Sequence, residues 1–329
     1  MKIVVDAFGG DYAPFEIISG AVKALQNNKD LNLVLVGDKD RITEILQEVV
    51  FVSDRLEIVH APDVIGMDEA PTVAIRTKKT SSIVVAYDYL KKNEDAVALV
   101  SAGSTGATLT GAVLKLGRIE NVSRPALAPI LPTMNDGGVM LLDCGANADC
   151  KAQNLLDFAV MGSEYMKATG IKKPKVALLN IGTEEEKGSE MIKEAHLLLK
   201  NSKLNFVGNI EARDVMRGLV DVVVADGYSG NICLKSIEGT AEILLGELKD
   251  AVSSSFKAKI GALFLKKKLK GIKTKYDHKR LGGAPLLGVN KIVLKCHGNC
   301  KADNVAITIE QAYKLAKNKL VEKMAKAVK

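Results

Sequence analysis

One local pattern recurs along the chain and limits what it can fold into. An apolar, β-branched run stops at glycine and small polar residues, and helix-like sequence resumes soon after. VVDAFGGD ends at Asp11, LVSAGSTGA at Ala107, LLDCGAN at Asn147, LLNIGTEEEKG at Gly188 and VVVADGYSGN at Asn231. Strands alternating with helices imply parallel pairing with right-handed crossovers. In such sheets ligands collect at the carboxyl ends of the strands. Glycine lets the backbone turn there, and the next helix points N–H groups and its positive end at an anion.

Hydrophobic patterning predicts strands over 3–8, 31–36, 56–60, 96–100, 127–131, 139–142, 176–181, 205–207, 222–225, 286–289 and 292–295. It predicts helices over 14–27, 41–50, from 72, and over 81–92, 104–115, 155–168, 190–200, 232–254 and 304–326. The expected fold is α/β, a mostly parallel sheet covered by helices. We expect one domain over residues 1–329, with 253–276 a basic amphipathic helical segment within it. Abundant aliphatics and the absence of Trp suit a helix-covered sheet.

No apolar run is long enough to span a bilayer, and Met1 leads directly into KIVVDAF, so a soluble cytoplasmic protein is expected. Five cysteines without framework spacing fit a reducing compartment. Cys144 and Cys233 read as small buried hydrophobes. Cys296, His297 and Cys300 cluster, but no second ligand pair stands at zinc-site spacing, so no metal is expected.

The net charge of +7 is local. Between Lys257 and Arg280 lie ten basic residues and one acid, Asp277, a balance of +9 that leaves −2 for the rest of the chain. That distribution argues against a nucleic-acid-binding protein. It leaves one patch for an acidic partner or an anionic membrane.

Five glycine-bearing turns are candidates for chemistry. In DAFGGDYAP, Asp6 and Asp11 would repel an anion; they orient basic groups or position the loop, and Asp11 reads otherwise as a helix cap. SAGSTGA offers hydroxyls at Ser101, Ser104 and Thr105, with Gly103 and Gly106 permitting close approach at a helix start. It lacks the Gly-Lys-Ser/Thr of nucleotide-hydrolase loops and the Gly-x-Ser-x-Gly elbow of hydrolases. LLDCGAN contributes Asn147. NIGTEEEKG places Thr183 and Lys187 after a strand, where a lysine grips phosphate or an oxyanion as a point charge, or pairs with the neighbouring glutamates. DGYSGN supplies Ser229, Gly230 and Asn231 at a helix start, as an oxyanion site or as ordinary caps. His297 alone of the four histidines sits in a glycine-bearing turn.

The segment SSFKAKIGALFLKKKLKGIKTKY differs in kind. Phe256, Ile260, Leu263 and Phe264 fall at helical spacing on one face, with lysines crowding the remainder. Such a helix lies on an anionic membrane, packs against this or another subunit, or docks a protein.

Taken in order, VDAFGGDYAP, SAGSTGA, RPALAPILPT, LLDCGAN, NIGTEEEKG, GNIEARDV, DVVVADGYSGNICLK, GGAPLLGV and CHGN resemble the PlsX-type phosphate acyltransferases of bacterial phospholipid synthesis. The resemblance spans nearly the whole chain. Ser104 departs from a usual Asn, Cys144 from a common Val, and Asn299-Cys300 from a Ser-rich turn. The resemblance implies a Rossmann-like fold related to phosphotransacetylases and isopropylmalate-type dehydrogenases. It implies transfer of a fatty acyl group from acyl carrier protein to inorganic phosphate, without cofactor or metal. It further implies a homodimer, peripheral membrane association, and a product passed to glycerol-3-phosphate acyltransferase. On this reading Lys187 neutralises phosphate or the oxyanion and Asn231 orients it. Ser101, Gly103, Ser104, Thr105 and Gly106 form a phosphate or acyl cradle, with Thr183, Ser229, Gly230, Asn147 and His297 around it. The alternatives are a nicotinamide-dependent decarboxylating dehydrogenase of related fold and a non-catalytic carrier-protein or membrane scaffold.

Overall fold

A computed structural model describes residues 1–135, 137–276 and 281–328. The strands are β1 Lys2–Asp6, β2 Asn32–Gly37, β3 Leu56–His60, β4 Ala96–Ser101, β5 Ala126–Leu127, β6 Ile130–Pro132, β7 Gly138–Leu142, β8 Lys175–Asn180, β9 Asn205–Glu211, β10 Val222–Val224, β11 Ala284–Leu287 and β12 Ile292–Lys295. The helices are α1 Phe15–Asn27, α2 Lys39–Glu48, α3 Pro71–Thr77, α4 Ser82–Lys92, α5 Thr105–Gly111, α6 Ala152–Ala168, α7 Glu190–Lys200, α8 Gly227–Ser253, α9 Phe256–Lys275, α10 Ala302–Lys317 and α11 Leu320–Ala327.

The strands form two sheets, in the orders β3-β2-β1-β4-β12-β11-β5 and β6-β7-β10-β8-β9. Pairing is parallel except at β11 and at the β6–β7 hairpin. The single strand expected over 127–131 is two short ones in different sheets. Pro129 has no N–H to continue the ladder to β11, and its carbonyl instead accepts from Leu141 of the second sheet at 3.0 Å.

Alternation along the strands sorts the core into three faces. Ile3 and Val5 of the first sheet share one buried cluster with Leu142, Val176 and Val224 of the second, filled by α1, α6 and α10. Val4, Leu99 and Val293 face the other way, onto α4. Leu141, Ala177 and Val223 face the base of α8. The helix expected over 304–326 is broken at Lys319, whose φ of 54° is left-handed, into α10 and α11.

The helix expected from 232 begins at Gly227, because Asp226 caps it by accepting from the Ser229 N–H at 2.8 Å. Only its first turns are buried, through Gly227, Gly230, Cys233 and Leu234. Beyond them α8 leaves the body, Ser255 caps α9, and α9 returns to donate from Lys275 Nζ to the Met134 carbonyl at 2.7 Å. Ile260, Leu263 and Phe264 are exposed on this arm, Phe264 by 86%. Packing of that face against the same chain is therefore not what Leu263 and Phe264 do. The side chain of Phe256 lies outside the described residues. Among the described residues no helix is long and apolar enough to cross a membrane.

Candidate active site

Three groups of polar residues stand at carboxyl ends of strands. The first surrounds Asp6, the last residue of β1, which is 1% exposed. Ser101, the last residue of β4, donates its hydroxyl to Asp6 Oδ2 at 2.7 Å and accepts from the Gly103 N–H at 3.1 Å. Burial pushes the Asp6 carboxyl above the ordinary range; the Ser82 and Ser101 hydroxyls and the Phe8 N–H oppose this, and Lys295 opposes it more weakly. Asp6 Oδ1 meets none of them in full hydrogen-bond geometry. Lys295 pairs in register with Ser101, and its Nζ donates to the Cys296 carbonyl. Burial pushes its ammonium down, opposed by Cys296, Cys300, Asp6 and Asp11.

Backbone closes over this group. A Cβ on Gly9 would lie 2.5 Å from Asp6 Oδ2 and 2.6 Å from the Gly103 nitrogen, so only glycine lets the two loops cross. Ser104 is buried and caps α5, accepting from Ala107 at 3.4 Å. Gly106 makes its close approach to Pro71, where a Cβ would stand 2.4 Å from the ring. Thr105 is exposed. The space between Asp6, Ser82, Ser101, Ser104 and Thr108 measures about 10 Å³, the size of one water and too small for phosphate. The hydroxyls of Ser101 and Ser104 thus organise the loop; they do not present themselves to a ligand. Asp11 is no helix cap either, since α1 starts after Pro14 without a side-chain cap; the Asp11 N–H donates to the Gly298 carbonyl at 2.8 Å. His297 is exposed on the same turn.

The second group surrounds Asp143, just beyond β7 and fully buried. Its oxygens accept from the N–H groups of Leu127 at 2.9 Å, Ala146 at 3.2 Å and Asn147 at 2.7 Å, and from Asn147 Nδ2 at 2.9 Å. Burial pushes the carboxyl up and these donors hold it down. Asn147 Nδ2 also donates to the Pro125 carbonyl at 2.7 Å, so its amide braces the loop. The Asn147 carbonyl accepts from Gly227 at 2.8 Å and seats the start of α8. Gly230 belongs there because a Cβ would fall 1.9 Å from the Asp143 carbonyl oxygen. With Asp226 as the cap, Ser229 and Asn231 are left exposed, and the Asn231 side chain lies beside Gly145.

The third group is the loop after β8. Asn180 Nδ2 donates to the Lys187 carbonyl at 3.0 Å, and Asn180 Oδ1 accepts from Ile181 at 2.8 Å. Glu185 is engaged by Lys200, at 2.8 Å from each carboxylate oxygen. Among the described residues Lys187 makes no ion pair, so the adjacent glutamates do not lock it in a salt bridge. Thr183 is exposed nearby.

β8 and β10 are adjacent and parallel, with Leu178 opposite Val224, so the Lys187 loop and the Asn231 helix start at neighbouring strand ends. The Asp6 group stands at the same edge but farther off. Leu127, bonded to Asp143, is level with Leu286, Val293 and Leu99, three interstrand steps or roughly 14 Å from the strand of Ser101. Hydrogen bonds described for the three groups stay within each group. Asp143, Asn180 and Lys295 were missed as organising residues. Their shared signal is a polar residue directly closing an apolar run, in LLD, LLN and VLK. A groove of about 470 Å³ between α6 and α10, lined by Met166 and Gln311 among others, lies away from these strand ends.

The fatty acid synthesis protein family matches residues 1–323. A phosphate acyltransferase of Caldanaerobacter subterraneus subsp. tengcongensis is 50% identical over 319 residues, covering 97% of this chain and 94% of that protein. One of Clostridium novyi is 46% identical over 325 residues, covering 98% and 97%. Among solved structures, the EutD phosphotransacetylase from Staphylococcus aureus superposes with a TM-score of 0.60 at 21% identity, covering 95% of this chain and 94% of that one. At that identity the likeness speaks for the fold.

Proposed function

The chain belongs to the fatty acid synthesis protein family, and from that membership we propose that it moves a fatty acyl group from acyl carrier protein to inorganic phosphate. It is a phosphate acyltransferase, as its relatives of 42–50% identity are, which sets aside the dehydrogenase and scaffold alternatives. The acyl carrier donor, and delivery of acyl phosphate to a glycerol-3-phosphate acyltransferase for phospholipid synthesis, are the finer reading.

The chemistry needs little from the protein. Phosphate is a nucleophile at neutral pH, its oxygen attacks the thioester carbonyl, and the tetrahedral oxyanion collapses with the thiolate as leaving group. Holding the two reactants together and stabilising the oxyanion account for the catalysis asked of the site. The supporting observation is Lys187, which makes no ion pair among the described residues, on the loop after β8, the strand next to the one that leads to Asn231. Lys187 offsets charge on phosphate or the oxyanion, and the Asn231 amide donates to it at the start of α8. Ser229, Gly230 and Thr183 shape the same edge. Thr105 and His297, exposed beside the buried Asp6 group, face the more distant part of the acyl donor.

The lysine-rich α9 suits an acidic carrier protein or an anionic membrane, and the exposed Leu263 and Phe264 suit peripheral insertion. Exposed Ile243, Leu244 and Leu248 on α8 offer a homodimer contact.

Trapping acyl phosphate with hydroxylamine, after mixing acyl carrier protein and phosphate with the enzyme, tests this. Lys187→Ala and Asn231→Ala should each lower kcat by about 10²-fold with melting unchanged. Full activity of both at saturating phosphate would remove those roles.

A further inference from the structure

We propose that His196 is a positioning residue for Lys187, acting through Asn209 on the loop between β8 and α7; this rests on the role given to Lys187 above. That loop is exposed from Thr183 to Lys187, and Ile181 is 81% exposed. A segment with so few apolar contacts opens readily unless polar contacts hold it. Asn180 fixes its base. Its middle is held from one buried side chain, the imidazole of His196, 5% exposed on α7 and edge-on to the Phe206 ring at 5.1 Å.

The hydrogen bonds run in one direction. Asn209 Nδ2 donates to the Glu184 carbonyl at 2.7 Å. A carbonyl only accepts, which fixes the orientation of the Asn209 amide and turns Oδ1 toward His196 Nδ1, 2.9 Å away. His196 therefore carries its hydrogen on Nδ1. Its other nitrogen, Nε2, carries the lone pair and stands 3.8 Å from Glu185 Oε1, beyond hydrogen-bond reach; Lys200 holds that carboxylate. Glu184 is thus tied to the ring through Asn209, while Glu185 is held by Lys200. Lys187 comes after Glu186 and donates its N–H to the same Glu184 carbonyl at 3.3 Å.

β9 is built to permit this. Val176 pairs with Phe206 and Leu178 with Asn209, so β9 carries one extra residue against β8. The extra residue falls at Gly208, whose φ is 96°. In a regular strand residues 206 and 209 would face opposite ways. The bulge turns both toward His196.

The test separates donation from packing. His196→Phe keeps an aromatic ring against Phe206 without the Nδ1 donor, and His196→Asn keeps a donor near that position. Acyl phosphate formation by the full-length enzyme should fall about tenfold in kcat for His196→Phe, with KM for the acyl donor unchanged. His196→Asn should recover most of it. The double variant Lys187→Ala/His196→Phe should be no slower than Lys187→Ala alone. Asn209→Ala, which removes the amide between the ring and the Glu184 carbonyl, should reduce kcat in the same direction even if His196→Phe does not fold. Wild-type kcat in His196→Phe, multiplied losses in the double variant, or, where His196→Phe does not fold, wild-type kcat in Asn209→Ala would each overturn the proposal. Full activity of Lys187→Ala by itself would instead overturn the role of Lys187 and, with it, this inference.

Discussion

Asp6 is held against its own solvation. It is buried, and burial raises its pKa despite the Ser82 and Ser101 hydroxyls and the Phe8 N–H. A carboxyl raised on folding keeps a proton that the unfolded chain has released. Stability therefore falls as pH rises from the ordinary carboxylate range toward the raised value. Asp6→Asn removes that dependence. Its melting temperature relative to wild type should climb as pH rises from about 4 and then level off; a difference that stays flat would count against burial as the cause. Lys187 is the opposite case, a charge left exposed and, among the described residues, without an ion pair, which suits binding an anion. Its position after a strand was legible in NIGTEEEKG. Whether the three glutamates lock it in a salt bridge was not, because that depends on Lys200 reaching Glu185 from α7.

Each turn works as a seat for the element that follows. The start of α8 is set by Asp226 as cap, by the Asn147 carbonyl, and by Gly230 lying against the Asp143 carbonyl. DGYSGN reads as a loop from its glycines, so the sequence reading begins that helix five residues late. The glycines sit inside the helix because another chain segment touches them, which propensity does not encode. Gly230→Ala should cost at least about 1–3 kcal/mol, since the new methyl meets backbone that cannot rotate away. It should also shift the neighbouring Asn231, so melting temperature and kcat should fall together. An unchanged melting temperature would mean that the helix start moves freely. SAGSTGA shows the same limit from the other side. Its hydroxyls look like a cradle in sequence, yet Ser101 and Ser104 are buried and bonded within the protein.

Two sheets share one core, and a helical arm stands away from it. The shared cluster joins β1 and β12 to β7, β8 and β10 through α6 and α10. This holds the strand ends of both sheets at a common edge, where Leu127 donates to Asp143. Among the described residues the arm has no such burial beyond Leu234 on α8. Replacing Leu263 and Phe264 with Glu should therefore leave melting and activity on soluble acyl carrier protein unchanged. It should weaken sedimentation with anionic liposomes by tenfold or more, from about 1.5–3 kcal/mol lost per apolar side chain. Undiminished sedimentation would remove the membrane role of α9.

The amino-acid order alone was enough for the α/β class, nearly all the strands, the glycine turns and the lysine-rich segment. Those follow from periodicity and turn chemistry, which act over a few neighbours. Tertiary structure decided that the strands divide between two sheets, that Ser101 faces inward to Asp6, and that Lys187 escapes its glutamates. Each of those outcomes depends on groups tens to hundreds of residues apart, whose burial and hydrogen bonds exist only once the sheets have closed on their common core.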